Sequence, residues 1–244
     1  MTPSALDSDR FCIKAGYRHN PAQSYGREQD TAFWSPERLA DATAYQRPVY
    51  ELCRDLLRQH AGRSVLDVGS GPGTKLAELV APICRDLVLI DHPSLRALVE
   101  RQLPDARFVA ADLDALDVEL GRRFDLIVCA DVLEHLAHPD ACARFIRDHL
   151  AEGGRAVLST PERDYLRGRD CMHSPHPDHV REWNAAEFRA FLESCGLVVE
   201  QQRLMPHVPL RGLERAASRI LGGIALRRRW ASCQVAVCHR RESR

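Results

Sequence analysis

The chain has almost no lysine, since Lys14 and Lys75 are the two lysines among its 34 cationic residues. It also has no net charge, because 34 aspartates and glutamates balance those cations. Nothing global therefore attracts it to nucleic acid. Two stretches, 211–229 and 239–244, are locally basic, and we interpret them as a solvated face and a tail. The composition thus disfavours a nucleic-acid partner without excluding one.

Three further features are missing. No apolar run approaches the roughly 18 residues of a membrane helix. The polar segment 1–10 lacks the apolar core of a signal peptide. The nine cysteines, an odd number, contain no C-x-x-C pair, which disfavours a disulfide framework and a zinc cluster. We expect reduced thiols, a cytoplasmic location and no membrane span.

What the chain does contain is a glycine-rich turn, V-L-D-V-G-S-G-P-G at residues 65–73. Its apolar start predicts a buried parallel strand, and residues 74–80 predict a helix. Gly69, Gly71 and Gly73 permit positive φ angles and a close approach of a ligand to the backbone. A strand, a glycine turn and a helix N-terminus together predict a nucleotide-binding corner.

The spacing of the glycines in this turn restricts the class of ligand that the turn can bind. A dinucleotide fingerprint G-x-G-x-x-G requires glycine where Thr74 stands, whereas Gly73 comes one residue earlier. Asp67, two residues before Gly69, would repel a pyrophosphate but suits a cationic amino-acid end such as that of S-adenosylmethionine. At these residues the sequence resembles the class I S-adenosylmethionine-dependent methyltransferases, whose first motif is E/D-x-G-x-G-x-G. The resemblance assigns cofactor binding to Asp67, Gly69, Ser70, Gly71 and Gly73.

From residue 63 onward, predicted strands and helices alternate, which indicates an α/β fold with a doubly wound, mostly parallel sheet. The predicted strands are 65–68, 87–90, 107–110, 124–129, 155–159, 197–202 and 232–238. Helices are predicted at 74–80, 94–102, 140–150 and 187–194, with Ser94 as an N-cap and Gly153–Gly154 preceding the fifth strand. Seven strands with a late returning hairpin, a Rossmann-like sheet, is what the resemblance implies.

Two appended segments complete the predicted organisation. Residues 1–60 form an N-terminal lid with a helix at 36–60, and residues 61–244 form the methyltransferase domain. A basic helical insertion is expected at about 205–230. In the proteins that the chain resembles, such N-terminal segments cover the cofactor and acceptor sites.

Two further acids lie where this fold places ligand contacts, at the carboxyl ends of strands. Asp91 ends the second strand, about twenty residues beyond Gly71, where an acid can accept hydrogen bonds from both ribose hydroxyls. The resemblance gives it that role, with His92 beside it. Asp112 matches the acid that contacts the adenine amino group, and Leu113 offers its backbone N–H.

The fourth strand leads into the sequence C-A-D-V-L-E-H-L, in which Asp131, Glu134 and His135 stand at positions i, i+3 and i+4. On a helical turn these positions share one face. Two carboxylates and an imidazole crowded together predict a divalent cation between them. The same turn without a metal, in which Glu134 and His135 cap the turn and line the pocket, is the alternative.

A long segment after the fifth strand, residues 159–183, adds further histidines: His173, His176 and His179. D-x-x-E-H, T-P-x-R and x-D-H-x-x-E-W together resemble the metal-dependent small-RNA 2′-O-methyltransferases. The resemblance implies a metal held by the four residues Asp131, Glu134, His135 and His179. Asp131 replaces the glutamate of that family with a shorter side chain, and it is also a predicted cofactor contact.

The ubiquinone-biosynthesis O-methyltransferases are similar through D/E-V-L-E-H and act on a catechol. Both families methylate one hydroxyl of a vicinal pair, which a chelated cation would activate. We therefore expect catalysis by Glu134, His135 and His179, with His173 or His176 as a proton acceptor instead of the metal or beside it.

The sequence thus predicts an S-adenosylmethionine-dependent O-methyltransferase for a hydroxyl of a small molecule or sugar, assisted by Mg²⁺, Mn²⁺ or Zn²⁺. An RNA 2′-O-methyltransferase, a small-molecule N-methyltransferase and a non-catalytic S-adenosylmethionine-binding regulator stay open. A homodimer is open as well. The acceptor and the methylated position are not specified by any motif.

Overall fold

The computed structural model describes residues 7–19, 39, 43–60, 63–209 and 232–241. Just under half of the predicted lid at 1–60, and most of the predicted insertion at 205–230, lies outside these residues. All nine cysteines lie within them and are free thiols. No helix in the described part of the chain is long and apolar enough to cross a membrane.

Seven strands form one sheet in the order β3-β2-β1-β4-β5-β7-β6. The strands are β1 (Ser64–Val68), β2 (Asp86–Asp91), β3 (Arg107–Ala110), β4 (Phe124–Ala130), β5 (Leu150–Pro161), β6 (Leu197–Met205) and β7 (Cys233–Arg240). Strands β1 to β5 pair in parallel, and β7 pairs antiparallel with both β5 and β6. The seven-stranded, mostly parallel sheet predicted from the sequence is confirmed.

Helices cover both faces of the sheet. They are α1 (Ser8–Phe11), α2 (Arg47–His60), α3 (Thr74–Leu79), α4 (Arg96–Gln102), α5 (Pro139–His149), α6 (Arg163–Arg167) and α7 (Ala185–Ser194). Successive residues of a strand face opposite sides. Val65 accordingly packs into one apolar core and Leu66 into the other. Because all five residues of β1 are buried, its carboxyl end lies in the interior between two helical layers.

Three local predictions were wrong. Ser94 is not a helix N-cap, because a 3₁₀ turn at Pro93–Leu95 precedes α4 and the His92 side chain caps it. Strand β5 begins at Leu150, before the two glycines rather than after them. The helix predicted at 36–60 is interrupted at Gln46, whose φ of 61° is left-handed, and α2 begins at the next residue.

Candidate functional site

The glycine turn follows β1 and adopts the backbone that its composition predicts. Gly69, Gly71 and Gly73 have φ angles of 74°, 57° and 74°, a region that side chains disfavour. Gly69 is also packed closely, since a Cβ atom there would lie 2.3 Å from Cγ2 of Val132. The turn therefore touches the segment that follows β4, which brings the two halves of the candidate site together.

Asp91 ties the turn to the end of β2. Its Oδ2 accepts a hydrogen bond from the Gly71 amide at 2.7 Å, and its Oδ1 accepts one from the His92 amide at 2.7 Å. Each carboxylate oxygen has a second lone pair with which to accept from a ribose hydroxyl. The structure therefore places Asp91 beside the turn, as the sequence predicts.

Asp112 follows β3 and begins a 3₁₀ turn at Leu113–Ala115. Its Oδ1 accepts from the Asp114 amide at 2.9 Å, and its side chain is exposed at the rim of the site. His92, after β2, accepts from the Ser94 amide through Nδ1 at 3.3 Å. Both side chains have a local capping contact in addition to the predicted cofactor role.

Asp67 is fully buried at the end of β1. The Tyr50 hydroxyl donates to its Oδ2 at 2.9 Å, while Oδ1 has no hydrogen-bond partner among the described residues. Burial raises the pKa of Asp67 to about 7, against the lowering effects of Tyr50 and of the Lys75 charge. A buried acceptor without a partner is costly, which makes Oδ1 a candidate contact for a ligand cation.

Asp131 lies at the end of β4 with a left-handed φ of 53°. Its carboxylate accepts from the Tyr45 hydroxyl at 2.9 Å, from Ser159 Oγ at 3.0 Å and from the Gln46 side-chain amide. His207 Nε2 lies 3.4 Å from Oδ2, and the His207 ring stacks on Tyr45 with centroids 5.2 Å apart. These five residues, the Asp131 cluster, come from four separate parts of the chain.

The predicted helical face at residues 131–135 is not present. The left-handed backbone of Asp131 is followed by turns rather than by a helix. Asp131 consequently faces Tyr45 and Ser159, whereas Glu134 enters the interior. The four predicted metal ligands are thus divided, and Asp131 is separate from the other three.

Glu134, His135 and His179 form a second group, the Glu134 cluster. One donor atom from each lies within 4.8 Å of the others. Glu134 has no exposed surface, and neither of its carboxylate oxygens has a hydrogen-bond partner among the described residues. Burial, together with the charge of Asp131, raises the pKa of Glu134 well above its usual range. Such a carboxylate calls for a cation or a donor.

The two imidazoles of the Glu134 cluster have defined tautomers. His135 Nδ1 lies 3.0 Å from the Asp178 carbonyl, and His179 Nδ1 lies 2.7 Å from Glu182 Oε1. Because a carbonyl only accepts, the His135 proton is on Nδ1, and the same holds for His179 against a carboxylate. In its neutral form each ring therefore has its lone pair on Nε2.

Burial sets the charge states of the pair formed by His179 and Glu182. Burial lowers the pKa of His179 to about 4, so this imidazole is neutral near pH 7. For Glu182, burial acts to raise the pKa, but hydrogen bonds from His179 and Arg167 lower it to about 2. An ionised carboxylate oriented toward a neutral histidine is the arrangement found behind metal-binding histidines.

The other loop histidines are less favourable proton acceptors. His176 stacks on His179 with centroids 3.9 Å apart, but its Nδ1 accepts from the Asp178 amide at 3.2 Å. The neutral His176 ring therefore has its proton on Nε2, where it cannot accept another. His173 is exposed, and none of the described contacts joins its side chain to the Glu134 cluster.

The family of the chain follows from comparison with known proteins. The sequence profile of a methyltransferase domain family matches residues 43–202, about two thirds of the chain. The chain belongs to this family, the class I S-adenosylmethionine-dependent methyltransferases. Membership implies S-adenosylmethionine as the methyl donor.

Two curated relatives of this methyltransferase have informative names. A probable S-adenosylmethionine-dependent methyltransferase of Mycolicibacterium smegmatis is 33% identical over 168 residues, which cover 66% of this chain and 62% of that protein. A ubiquinone biosynthesis O-methyltransferase of Xanthomonas axonopodis is 29% identical over 203 residues, which cover 73% of this chain and 83% of that protein.

Solved structures of low sequence identity share the fold. An S-adenosylmethionine-dependent methyltransferase from Clostridium acetobutylicum has a TM-score of 0.62 at 12% identity and covers 84% of this chain and 96% of its own. The N-methyltransferase NodS of Bradyrhizobium japonicum has a TM-score of 0.56 at 19% identity, with coverages of 80% and 86%. These structures support the fold of this methyltransferase and say nothing of its acceptor.

Several residues of this methyltransferase site were not singled out from the sequence. Glu182 stands three residues after His179 in the H-V-R-E-W segment, so its spacing could have signalled an orienting carboxylate. The others come from parts of the chain that carry no recognised motif. They are Tyr45, Gln46, Tyr50 and His207.

Proposed function

We propose that this methyltransferase transfers the methyl group of S-adenosylmethionine to a hydroxyl of a small molecule or sugar, with a divalent cation at the Glu134 cluster. One observation carries the proposal: a fully buried carboxylate without a hydrogen-bond partner lies beside two imidazoles whose protons are on Nδ1. The cluster offers one hard oxygen and two nitrogens, a donor set that suits Mn²⁺ or Zn²⁺, and Mg²⁺ less well.

The residues around the cluster fit a bound cation. Glu182 and the Asp178 carbonyl accept the Nδ1 protons of the two histidines, which orients each Nε2 lone pair and raises its basicity. A cation would also supply the positive counter-charge that the buried Glu134 carboxylate needs. Without one, the proximity of Asp131 and the burial of Glu134 favour a protonated carboxyl group.

The two ends of the site would have different roles in methyl transfer. S-adenosylmethionine supplies an electrophilic methyl group on a sulfonium. A divalent cation at the Glu134 cluster would lower the pKa of an acceptor hydroxyl and direct its oxygen. The chain itself contributes positioning, because Tyr45, Gln46 and Ser159 hold Asp131 in place at the end of β4.

The acceptor class rests on three kinds of support. The relatives named as ubiquinone biosynthesis O-methyltransferases favour an oxygen acceptor. A three-residue ligand set leaves coordination positions for two adjacent acceptor oxygens. The chain has no net charge, which disfavours RNA, and the basic stretch at 211–229 lies outside the described residues.

A metal titration tests the proposed site. Chelator-treated protein would be titrated with Mn²⁺, Zn²⁺ and Mg²⁺ in the presence of S-adenosylhomocysteine, with heat as the readout. We expect saturable one-to-one binding that Glu134→Gln and His179→Ala abolish. Asp131→Asn is the matched control, and it should retain the affinity within a few-fold. Absence of binding, or loss only in Asp131→Asn, would contradict the site.

An intermediate loss of metal affinity is expected when Glu182, the carboxylate that orients His179, is replaced. Glu182→Gln keeps the shape of the side chain but weakens its hold on the His179 proton. Metal affinity should fall by about 10- to 100-fold. An unchanged affinity would show that Glu182 is structural only.

The acceptor is tested with a pair of molecules that differ by one hydroxyl. With 3,4-dihydroxybenzoate and 3-hydroxybenzoate as probes, transfer should require the vicinal pair. Equal methyl transfer to both probes would show that chelation of two adjacent hydroxyls by the cation is not required. Transfer to an amine probe, or to a mixed-sequence RNA at low and high salt, would replace the proposal by N-methylation or by RNA methylation.

A further inference from the structure

Lys75 is one of only two lysines in a chain that otherwise uses arginine, and it stands two residues after the last glycine of the turn. It belongs to the first turn of α3, and its Nζ lies 5.2 Å from the centroid of the Tyr50 ring. The same Tyr50 donates to Asp67. The charges of Asp67 and Asp131 both act on Lys75. Lys75 thus packs on the tyrosine that binds Asp67, within range of the charges of both acids.

The three glycine amides of the turn already donate to groups of the protein. The acceptors are the Ile90 carbonyl at 2.9 Å, Asp91 Oδ2 at 2.7 Å and the Ser70 carbonyl at 3.2 Å. An anion bound near Asp67 therefore depends on other donors, and the Lys75 ammonium is a side-chain cation that acts there.

The amino-acid end of S-adenosylmethionine is a zwitterion, with an ammonium and a carboxylate on one carbon. Asp67 offers a buried Oδ1 without a partner, which suits the ammonium. A carboxylate on the same carbon then lies beside Asp67 and must meet a cation. Lys75 is the cation whose charge acts on Asp67.

We propose that Lys75 binds the α-carboxylate of the cofactor, while Asp67 accepts from its α-ammonium. This inference rests on the cofactor of the proposed function and adds the residue that recognises its anionic end. In the absence of ligand the charges of the lysine and the aspartate act on each other, and the zwitterion would bring its own two charges to them. The competing explanation is that Lys75 serves only as a counter-ion for Asp67.

The two explanations differ in how the protein discriminates between two ligands. S-adenosylhomocysteine has the carboxylate, and its decarboxylated analogue, S-adenosyl-3-thiopropylamine, lacks it but retains the amine. The natural protein should bind the analogue about 10- to 100-fold more weakly, the range of a hydrogen bond to a charged group. Lys75→Met should bind both ligands within about threefold of each other, and Lys75→Arg should keep part of the discrimination. Lys14→Met, the same change at the other lysine, is the control.

Several outcomes would overturn the inference. A Lys75→Met protein that binds both ligands more weakly by the same factor would show a counter-ion role only. One that discriminates as strongly as the natural protein would show no role in carboxylate binding. If the natural protein binds neither ligand, the cofactor assignment itself fails, which is a different result from equal binding of the two.

The natural protein offers a second measurement if Lys75→Met does not fold. Labelling with [¹³Cε]lysine gives two lysine signals, which Lys14→Met assigns. S-adenosylhomocysteine should shift the Lys75 signal clearly more than the decarboxylated analogue does, and the Lys14 signal should not move. Equal shifts with both ligands would contradict carboxylate binding.

Discussion

The two halves of the site are built in different ways. The cofactor half consists of Asp67, the glycine turn, Asp91 and Asp112, which follow β1, β2 and β3. Its acids bind mainly nearby backbone amides, as Asp91 does with Gly71 and His92. The proposed acceptor half consists of the Asp131 and Glu134 clusters, whose members come from the turn before α2, the end of β4, β5 and the segment after it, and the segment after β6.

The two halves therefore depend on different levels of structure. The cofactor half depends on short-range geometry, since a strand, a turn and a helix fix its backbone. The acceptor half depends on side chains that meet only when the whole sheet is assembled. It also leaves Glu134 buried without a partner among the described residues. We therefore expect the cofactor half to be most sensitive to substitutions that change its backbone shape. The acceptor half should be most sensitive to substitutions that remove charged or metal-binding groups.

The largest effect is expected in the acceptor half. His135→Ala removes one of the three donors of the Glu134 cluster and should lower turnover by about 10³-fold, while binding of S-adenosylhomocysteine stays the same. Turnover and titration calorimetry measure the two quantities. His239→Ala, at the far end of β7, is the control and should behave as the natural protein. Full activity of His135→Ala would contradict a role of the Glu134 cluster in activating the acceptor.

The cofactor half should instead respond to a change of shape. In Gly69→Ala the new Cβ atom would lie 2.3 Å from Val132 Cγ2, at a φ of 74°. We expect a loss of about 2–4 kcal/mol in the free energy of unfolding, from overpacking and backbone strain, with weaker cofactor binding. Denaturant unfolding measures the loss.

A matched substitution isolates the contact with Val132. Gly153 has a φ of 70° with open space around its Cα, so Gly153→Ala should cost only the strain of about 1 kcal/mol. Adding Val132→Ala to Gly69→Ala should restore part of the stability. Equal costs at the two glycines would mean that the close approach is unimportant.

Cofactor binding should depend on pH through Asp67. Its pKa is about 7 in the ligand-free protein, and the ammonium of the ligand binds its ionised form. Affinity for S-adenosylhomocysteine should therefore rise with pH, by up to about tenfold per unit below pH 7, and level off above it. Asp67→Asn should bind more weakly and without this slope. A slope that persists in Asp67→Asn would assign it to another group.

The smallest effect is expected at the contact between Tyr45, just before α2, and Asp131, just after β4. Tyr45→Phe removes the hydroxyl that donates to Asp131 but keeps the ring that stacks on His207. Because Tyr45 is 43% exposed, solvent weakens this hydrogen bond to a charged group, and we expect a loss of about 1 kcal/mol in stability. Thermal unfolding measures it, with Tyr165→Phe, at a tyrosine of similar exposure, as the control. No change at Tyr45 would mean that the contact adds nothing to the acceptor half.

Sequence patterns predicted the sheet well because buried parallel strands leave a local signature. All seven strands and the glycine turn were found where apolar runs and glycine spacing indicate them. The pairing of Glu134 with His135 and His179 was also predicted, although through resemblance to a family rather than through geometry. Two of the errors lie where one residue leaves the regular backbone, as Gln46 and Asp131 do.

The sequence alone determined the fold and the family, and it predicted the glycine turn, because each leaves a signature in residues that are neighbours along the chain. Only the tertiary structure separated Asp131 from the Glu134 cluster. A single left-handed φ decides where that side chain points, and no spacing rule contains it. The tertiary structure likewise brought Tyr50 to Asp67 and Lys75 to Tyr50. Burial then set the charges on which binding and catalysis depend.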